Sequence, residues 1–325
     1  MTDSPRASVV VPTFDRPGLL ARCLAALCAQ QWTGDRFEVI VVDDGHAAEV
    51  RTIVKAASHP CADFRCERTP RRASGPAAAR NVGWRSARAP LVAFTDDDCI
   101  PQPGWLAAGM RSLETGAAGA WGHVIVPLGP YPTDHEVEAA GLEESPFAAA
   151  SCFYRKDALA QVDGFDERFT MPWREDRDLH FTLLERGMTL VRAPEEAVVI
   201  HPVRPAPWGI SLRQQRKTQF EPLLYSKHPA LYRLHVRPDP DWSCYATLAA
   251  ALAAAGAIAL DLGGLSLAAT GVWGLLTARF CALRLEGTSR TVRHRMEMAF
   301  TSTLIPPLSI FWRLVGAVRF RAFLP

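Results

Sequence analysis

The stretch "LVAFTDDDC", Leu91 to Cys99, poses the problem that the rest of the chain has to solve. Leu91 to Thr95 reads as a short buried strand. Three aspartates follow at once: Asp96, Asp97 and Asp98. Adjacent like charges repel, and desolvating them costs more. A bound cation would offset both costs. A polar turn with all three carboxylates in water would avoid them.

Working outward, the same pattern recurs. Ala7 to Val11, "ASVVV", is an apolar β-branched run, with Pro12 expected to end it. Asp15 is a candidate helix cap, and Pro17 suits a first helical turn. Leu19, Leu20, Cys23, Leu24, Leu27 and Cys28 then recur at helical spacing. Phe37 to Val42, "FEVIVV", is another strand, ending in Asp43, Asp44 and Gly45. Ala77 to Ser86 reads as a helix. Strands alternating with helices predict an α/β fold with a mostly parallel central sheet flanked by helices. Polar residues at the C-terminal strand ends stand where such sheets bind ligands. Between Gly116 and Phe153 the pattern is irregular, as in a loop-rich substrate region or a plain connector. Beyond it, Asp157 to Val162 and Arg174 to Arg186 read as helices and Val198 to His201 as a last short strand.

The chain has 325 residues, room for one large domain or a domain with an appendage. Its net charge of +2 hides an asymmetry. From Cys244 to Pro325 there are eight arginines, no lysine and three acids (Asp261, Glu286, Glu297), so that tail carries +5. No dense basic stripe accompanies the aromatics, which argues against nucleic acid as a partner. A basic segment beside an apolar one suggests anionic lipid instead. The eight cysteines are scattered without a CxxC pair, which argues against a zinc site or a disulfide framework. The polar start, Met1 to Arg6, runs straight into a strand without a signal-peptide pattern, so a cytosolic first domain is expected.

The character changes after Trp242. Cys244 to Ala278 is 35 residues with one charge, Asp261. It reads as two short membrane helices, 244–260 and 262–280, near the lower limit of roughly 17 residues for a span. Arginines follow at 279, 284, 290, 293 and 295, and Lys227, Arg233 and Arg237 precede. A hairpin with both ends cytosolic satisfies that distribution. A buried alanine-rich helical pair in a soluble domain is the alternative. Thr303 to Val318 is a third apolar stretch, broken by Pro306, Pro307 and Arg313, and reads as re-entrant or interfacial. The expected division is therefore 1–240 and 241–325.

Six ordered motifs over roughly residues 7–225 resemble the inverting family 2 glycosyltransferases of GT-A fold. They are "VVVPTFDRPGLLARCLAAL", "VIVVDDG", "AARNVG", "AFTDDDC", "SCFYRKDALAQVDGFDERF" and "WREDRDL". The resemblance implies sugar transfer from a nucleotide-diphosphate sugar, UDP-sugar favoured, with Mn²⁺ or Mg²⁺. Its metal motif falls on Asp96, Asp97 and Asp98. Asp98 would ligate the ion, Asp96 would touch ribose or metal, and Asp97 would belong to the donor site. His201 matches a further position at the diphosphate metal. Asp43 and Asp44 would contact the nucleoside, with Pro12, Thr13 and Phe14 as the edge against the base. Arg80 would reach base or phosphate.

A helix N-terminus tolerates acids, which alone accounts for Glu175, Asp176 and Asp178. The resemblance places the catalytic base in this "ED" pair. Asp176 is the aligned residue, Glu175 the alternative, and Asp178 structural. Phe165 and Asp166 would lie on the acceptor-side loop, and Trp173 would stack on a sugar or fill the loop.

Two departures matter. "SLRQQRKTQF" lacks the QxxRW of processive synthases, so non-processive addition is expected. "GHVIVP" carries no acceptor signature. The implied acceptor is a lipid-linked, lipid or glycan hydroxyl at the cell membrane, with the catalytic domain facing the cytoplasm. A GT-A nucleotidyltransferase is opposed by the missing glycine-rich loop after the first strand. A non-catalytic membrane scaffold is opposed by the intact acid clusters.

Overall fold

The β-branched runs that end in acids lie side by side in one sheet. The computed structural model describes residues 4–32 and 36–323; of the polar start at 1–6, residues 1–3 lie outside it. Along the chain come β1 (Ala7–Thr13), α1 (Pro17–Cys28), β2 (Phe37–Asp43), α2 (Ala48–Ala56), β3 (Ala62–Arg68), α3 (Pro76–Ser86) and β4 (Leu91–Phe94). Next are β5 (Ile100–Pro101), α4 (Trp105–Glu114), β6 (Gly119–Trp121), β7 (His123–Ile125), α5 (Asp134–Ala140) and β8 (Cys152–Arg155). Then follow α6 (Lys156–Gln161), α7 (Glu175–Glu185), β9 (Leu190–Arg192) and β10 (Val198–Ile200). The sheet order is β3-β2-β1-β4-β8-β6-β9, with a smaller sheet β5-β10-β7. β8 runs antiparallel to β4 and β6, and the other pairs of the large sheet are parallel. The expected mostly parallel sheet flanked by helices is what forms.

Both faces of the central strands are covered, which is why they read as unbroken apolar runs. Val9, Val11, Val39 and Val41 pack with Leu20, Leu24 and Leu27 of α1. Val10, Ile40, Val42 and Phe94 face the other way, with Trp84 of α3 and Leu179 of α7. The β1–β2 register pairs Thr13 with Asp43, so both strands deliver their last residues to the same edge.

Several local expectations are corrected. Pro12 does not end β1. Its neighbour β4 already stops pairing at Val10, so the missing N–H costs little there. Asp15 does not cap α1: it adopts left-handed backbone (φ 51°) and pairs with Arg72, while Arg16 holds the cap position. α2, β3 and α4 were not anticipated, although β3 ("ADFRCER") alternates in the manner of a half-buried strand, with Ala62, Phe64 and Cys66 packed on the core and charged residues between them.

The chain divides into two compact units, residues 1–127 with 140–203, and residues 128–139 with 204–325. The second holds α8 (Ile210–Gln214), a 3₁₀ turn (Gln215–Phe220), α9 (Glu221–Lys227), α10 (Pro229–His235), α11 (Trp242–Ala259), α12 (Gly263–Leu285) and α13 (Val292–Phe320). α11, α12 and α13 are each long and apolar enough to cross a membrane. α13 is one continuous helix through Pro306 and Pro307, contrary to the expected break. The rest of the same unit holds one face of α13, which offsets the backbone bonds the prolines forgo.

Gly83, within the "AARNVG" motif, lets α3 lie directly on β1. A Cβ there would fall 2.2 Å from Val10 Cγ1. Gly83→Ala should therefore destabilise by about 1–3 kcal/mol despite alanine's better helix propensity. The check is a lowered thermal-unfolding midpoint of the detergent-solubilised chain.

Candidate active site

The acids at Asp96 to Asp98 neither share one solvated turn nor point the same way. Each is met by a different element of the first unit. Asp96 accepts a hydrogen bond from Arg80 Nη2 of α3 at 2.7 Å. Asp97 is buried; it accepts from Thr13 Oγ1 of β1 at 2.7 Å and from Arg16 Nη1 at 3.2 Å. Burial nonetheless pushes the Asp97 carboxyl up to about 6. Asp98 is also buried, and its Oδ1 faces Nε2 of His201, just past β10, at 3.5 Å.

Asp98, Cys99 and His201 have donor atoms within 4.8 Å of one another. Burial, helped by Asp96 and Asp98, pushes the Cys99 thiol well up. A protonated thiol is a poor ligand for a hard cation. The fitting donor set is the Asp98 carboxylate with the His201 imidazole, a mixed oxygen and nitrogen pair that suits a divalent ion such as Mn²⁺. Asp96, for which ribose or metal contact is expected, has its Oδ1 engaged by Arg80.

Asp43 and Asp44 divide their work clearly. Asp44 accepts from Thr69 Oγ1 at 2.7 Å, Ser74 N at 2.8 Å and Gly75 N at 2.9 Å, so it ties down the loop between β3 and α3. Asp43 Oδ1 accepts from Gly45 N at 3.1 Å. Asp43 Oδ2 makes no hydrogen bond, with Arg68 Nε 3.4 Å away. Asp43 is fully buried, with its Oδ2 ion-paired to Arg68. Thr13 is taken up by Asp97, while Phe14 is exposed at the rim with the Arg72 guanidinium 5.2 Å above its ring. Pro12 stays within β1.

Arg80 is buried between two carboxylates. Besides Asp96 it donates through Nη1 to Glu175 Oε1 at 2.9 Å. Its guanidinium lies 5.6 Å from the centre of the Phe165 ring, which is itself buried against Phe94. Phe165 is thus core beneath the site, and Asp166 is paired with Arg168 at 2.6 Å. Burial raises the Glu175 carboxyl against the pull of Arg80.

Asp176, one residue on, is half-buried. Its contacts are backbone N–H groups, Arg177 N at 2.7 Å and Ala149 N at 3.4 Å. Asp178 is buried, and Trp173 carries the Arg174 guanidinium 4.7 Å over its ring.

Arg16 and Cys99 were not singled out from sequence. Arg16 lies in a strand-to-helix turn whose geometry the residue pattern does not reveal, and Cys99 reads as a small core residue.

Residues 8–167 match Glycosyl transferase family 2. Over that stretch, about half of its length, the chain resembles that family. It is 31% identical over 210 residues to the pre-mycofactocin glycosyltransferase of Mycobacterium tuberculosis, covering 60% of this chain and 42% of that protein. The chain thus spans less than half the length of that relative. Its fold resembles the mannosyltransferase PcManGT from Pyrobaculum calidifontis, solved with GDP-Man and Mn²⁺. There the TM-score is 0.61 at 21% identity, over 96% of this chain and 88% of that one. It also resembles S. aureus TarS 1-349 in complex with UDP-GlcNAc, with a TM-score of 0.50 at 15% identity over 98% and 93%.

Arg80→Met would leave Glu175 buried without its cation. That change should cost about 3–5 kcal/mol, and adding Glu175→Leu should recover much of the loss. Urea unfolding of the two variants against the parent chain checks both parts.

Proposed function

We propose that the chain is a metal-dependent, inverting, non-processive glycosyltransferase acting at the membrane. It would move a sugar from a nucleotide-diphosphate sugar, UDP-sugar favoured, to a lipid-linked, lipid or glycan hydroxyl. The observation that carries this is the split between the two acids opening α7. Glu175 is buried with its Oε1 held by Arg80, while Asp176 is half-buried and keeps a carboxylate that only backbone N–H groups hold. The family match supports the reaction class, and two structural neighbours bound to nucleotide sugars, one with Mn²⁺, support the donor class.

In this reading Asp98 and His201 hold the cation, Mn²⁺ or Mg²⁺, with the imidazole favouring Mn²⁺. When bound, the cation supplies positive charge to the departing diphosphate. Asp43, at the end of β2, marks the nucleoside side of the site, and the exposed Phe14 packs against the base. Arg80 is a positioning residue that ties Asp96 to Glu175. Asp176 takes the proton from the acceptor hydroxyl as its oxygen attacks the anomeric carbon. The carbon–oxygen bond to the nucleoside diphosphate breaks on the opposite side. One such displacement inverts the centre without a covalent enzyme intermediate.

The functional boundary we propose at about residue 240 separates the catalytic part, 1–240, from the membrane-associated helices of 241–325. The catalytic part would face the cytoplasm, supported by the arginines that follow the apolar run.

Asp176→Asn should lower turnover by about 10²–10⁴-fold while UDP affinity stays within error. Unchanged turnover removes Asp176 from the base role. In titrations of the detergent-solubilised chain, UDP should bind more tightly with Mn²⁺ than without, and Asp98→Asn should abolish that difference. Absence of metal-dependent binding of UDP, GDP and dTDP to the folded parent chain would overturn the enzyme reading.

A further inference from the structure

α13 has two unlike faces. Met296, Phe300, Leu304, Phe311, Leu314 and Val318 recur three, four or seven apart and are 37–80% exposed. They form one apolar stripe along the helix. Met298, Thr301, Ile305, Ser309 and Gly316, on the opposite side, are buried.

The buried side packs on polar elements of the same unit along most of the helix. Glu297 accepts from Gly209 N at 2.6 Å. Thr218 Oγ1 lies 3.4 Å from the Ser309 carbonyl oxygen. Gly316 sits so close to the 3₁₀ turn that a Cβ would fall 1.9 Å from the Gln219 carbonyl oxygen. Arg319 donates to Gln219 Oε1 at 3.0 Å. Were α13 to cross a bilayer, it would draw the exposed Arg213 and Arg216 and the glutamines of 214–219 into hydrocarbon with it. Each such charge costs several kcal/mol there. At about 43 Å, α13 also exceeds the ~30 Å hydrocarbon core.

The hairpin of α11 and α12 is pinned to α13 at both feet. Arg284, at the end of α12, donates to Thr301 Oγ1 at 2.7 Å and Ser302 Oγ at 3.0 Å. Asp241, which caps α11, lies 3.7 Å from Arg313 Nη2. Positions 301 and 313 are about 18 Å apart along α13 at 1.5 Å per residue. A helix that meets both feet of a hairpin at such separated points runs past its base, not alongside it.

We propose that α13 is not a third span. It lies in the plane of the membrane surface at the foot of the α11–α12 hairpin, its apolar stripe against the acyl boundary. Exposed Arg293 and Arg295 at one end, and Arg319 and Arg321 at the other, meet anionic headgroups. This rests on reading α11 and α12 as a membrane hairpin. The number of crossings is then even.

The test places nitroxides on the full chain, reconstituted into phosphatidylethanolamine–phosphatidylglycerol vesicles. The sites are Met296→Cys, Leu304→Cys, Phe311→Cys and Val318→Cys on α13, with Leu252→Cys and Leu275→Cys on the hairpin. The partly exposed Cys28, Cys61, Cys66 and Cys281 are replaced by serine. The expected result is one common shallow depth for the four α13 labels and deep immersion for the hairpin labels. A depth that passes through the bilayer centre between 296 and 318 overturns the proposal. So do α13 labels in water while the hairpin labels are in lipid. If the hairpin labels are also in water, the membrane reading itself has failed, and this proposal falls with it. A second measurement needs no substitution: tags at the two ends of the chain should be protected from protease together in sealed vesicles. Opposite protection counts an odd number of crossings and overturns the proposal.

Discussion

Two buried carboxylates, Asp97 and Asp98, beside the half-buried Asp96 can be packed at the end of β4 only if each of the three is compensated from a different direction. The fold does this with three elements far apart in sequence. α3 brings Arg80 to Asp96, β1 brings Thr13 to Asp97, and the end of β10 brings His201 to Asp98. The parallel register of β1 with β2 and β4 is what makes these meetings possible. Site and scaffold are therefore hard to separate energetically. Removing one partner leaves a buried charge that costs more than the lost bond alone.

The same economy separates the two acids that open α7. Neighbouring residues on a helix point about 100° apart. Glu175 turns inward to Arg80, and Asp176 turns to a backbone-lined, partly open position. Two carboxylates with one covalent connection thus acquire different environments and different uses. Arg80 joins the acidic cluster after β4 to the start of α7, so the two acidic clusters share one buried cation.

Much of this was legible in the residues. The strands β1, β2 and β4 announce themselves because burial on both faces demands unbroken apolar runs. α1 and α7 announce themselves through 3.6-residue periodicity. The edge strand β3 does carry the alternation of a half-buried strand, Ala62, Phe64 and Cys66 inward with charged residues between, but without the unbroken apolar run of its neighbours it does not stand out. Pro12 and the pair Pro306–Pro307 were misread as breaks. The cost of a proline depends on whether a partner strand or helix still needs its N–H, and that is a matter of neighbours.

Residue types and their order determined that the chain carries an α/β sheet with acids at its strand ends, followed by an apolar, arginine-flanked tail. Hydrophobic burial and charge cost act on every residue locally, so they leave their mark in local patterns. Which acid meets which partner was decided by the tertiary structure. Asp44 serves a loop and Asp43 faces Arg68; Arg80 serves carboxylates at Asp96 and Glu175. Arg16 reaches Asp97 from a left-handed turn. Hydrogen bonds and ion pairs are short-ranged and directional, and their partners here lie up to about a hundred residues away. Only the folded chain brings those atoms within 3 Å or so of each other.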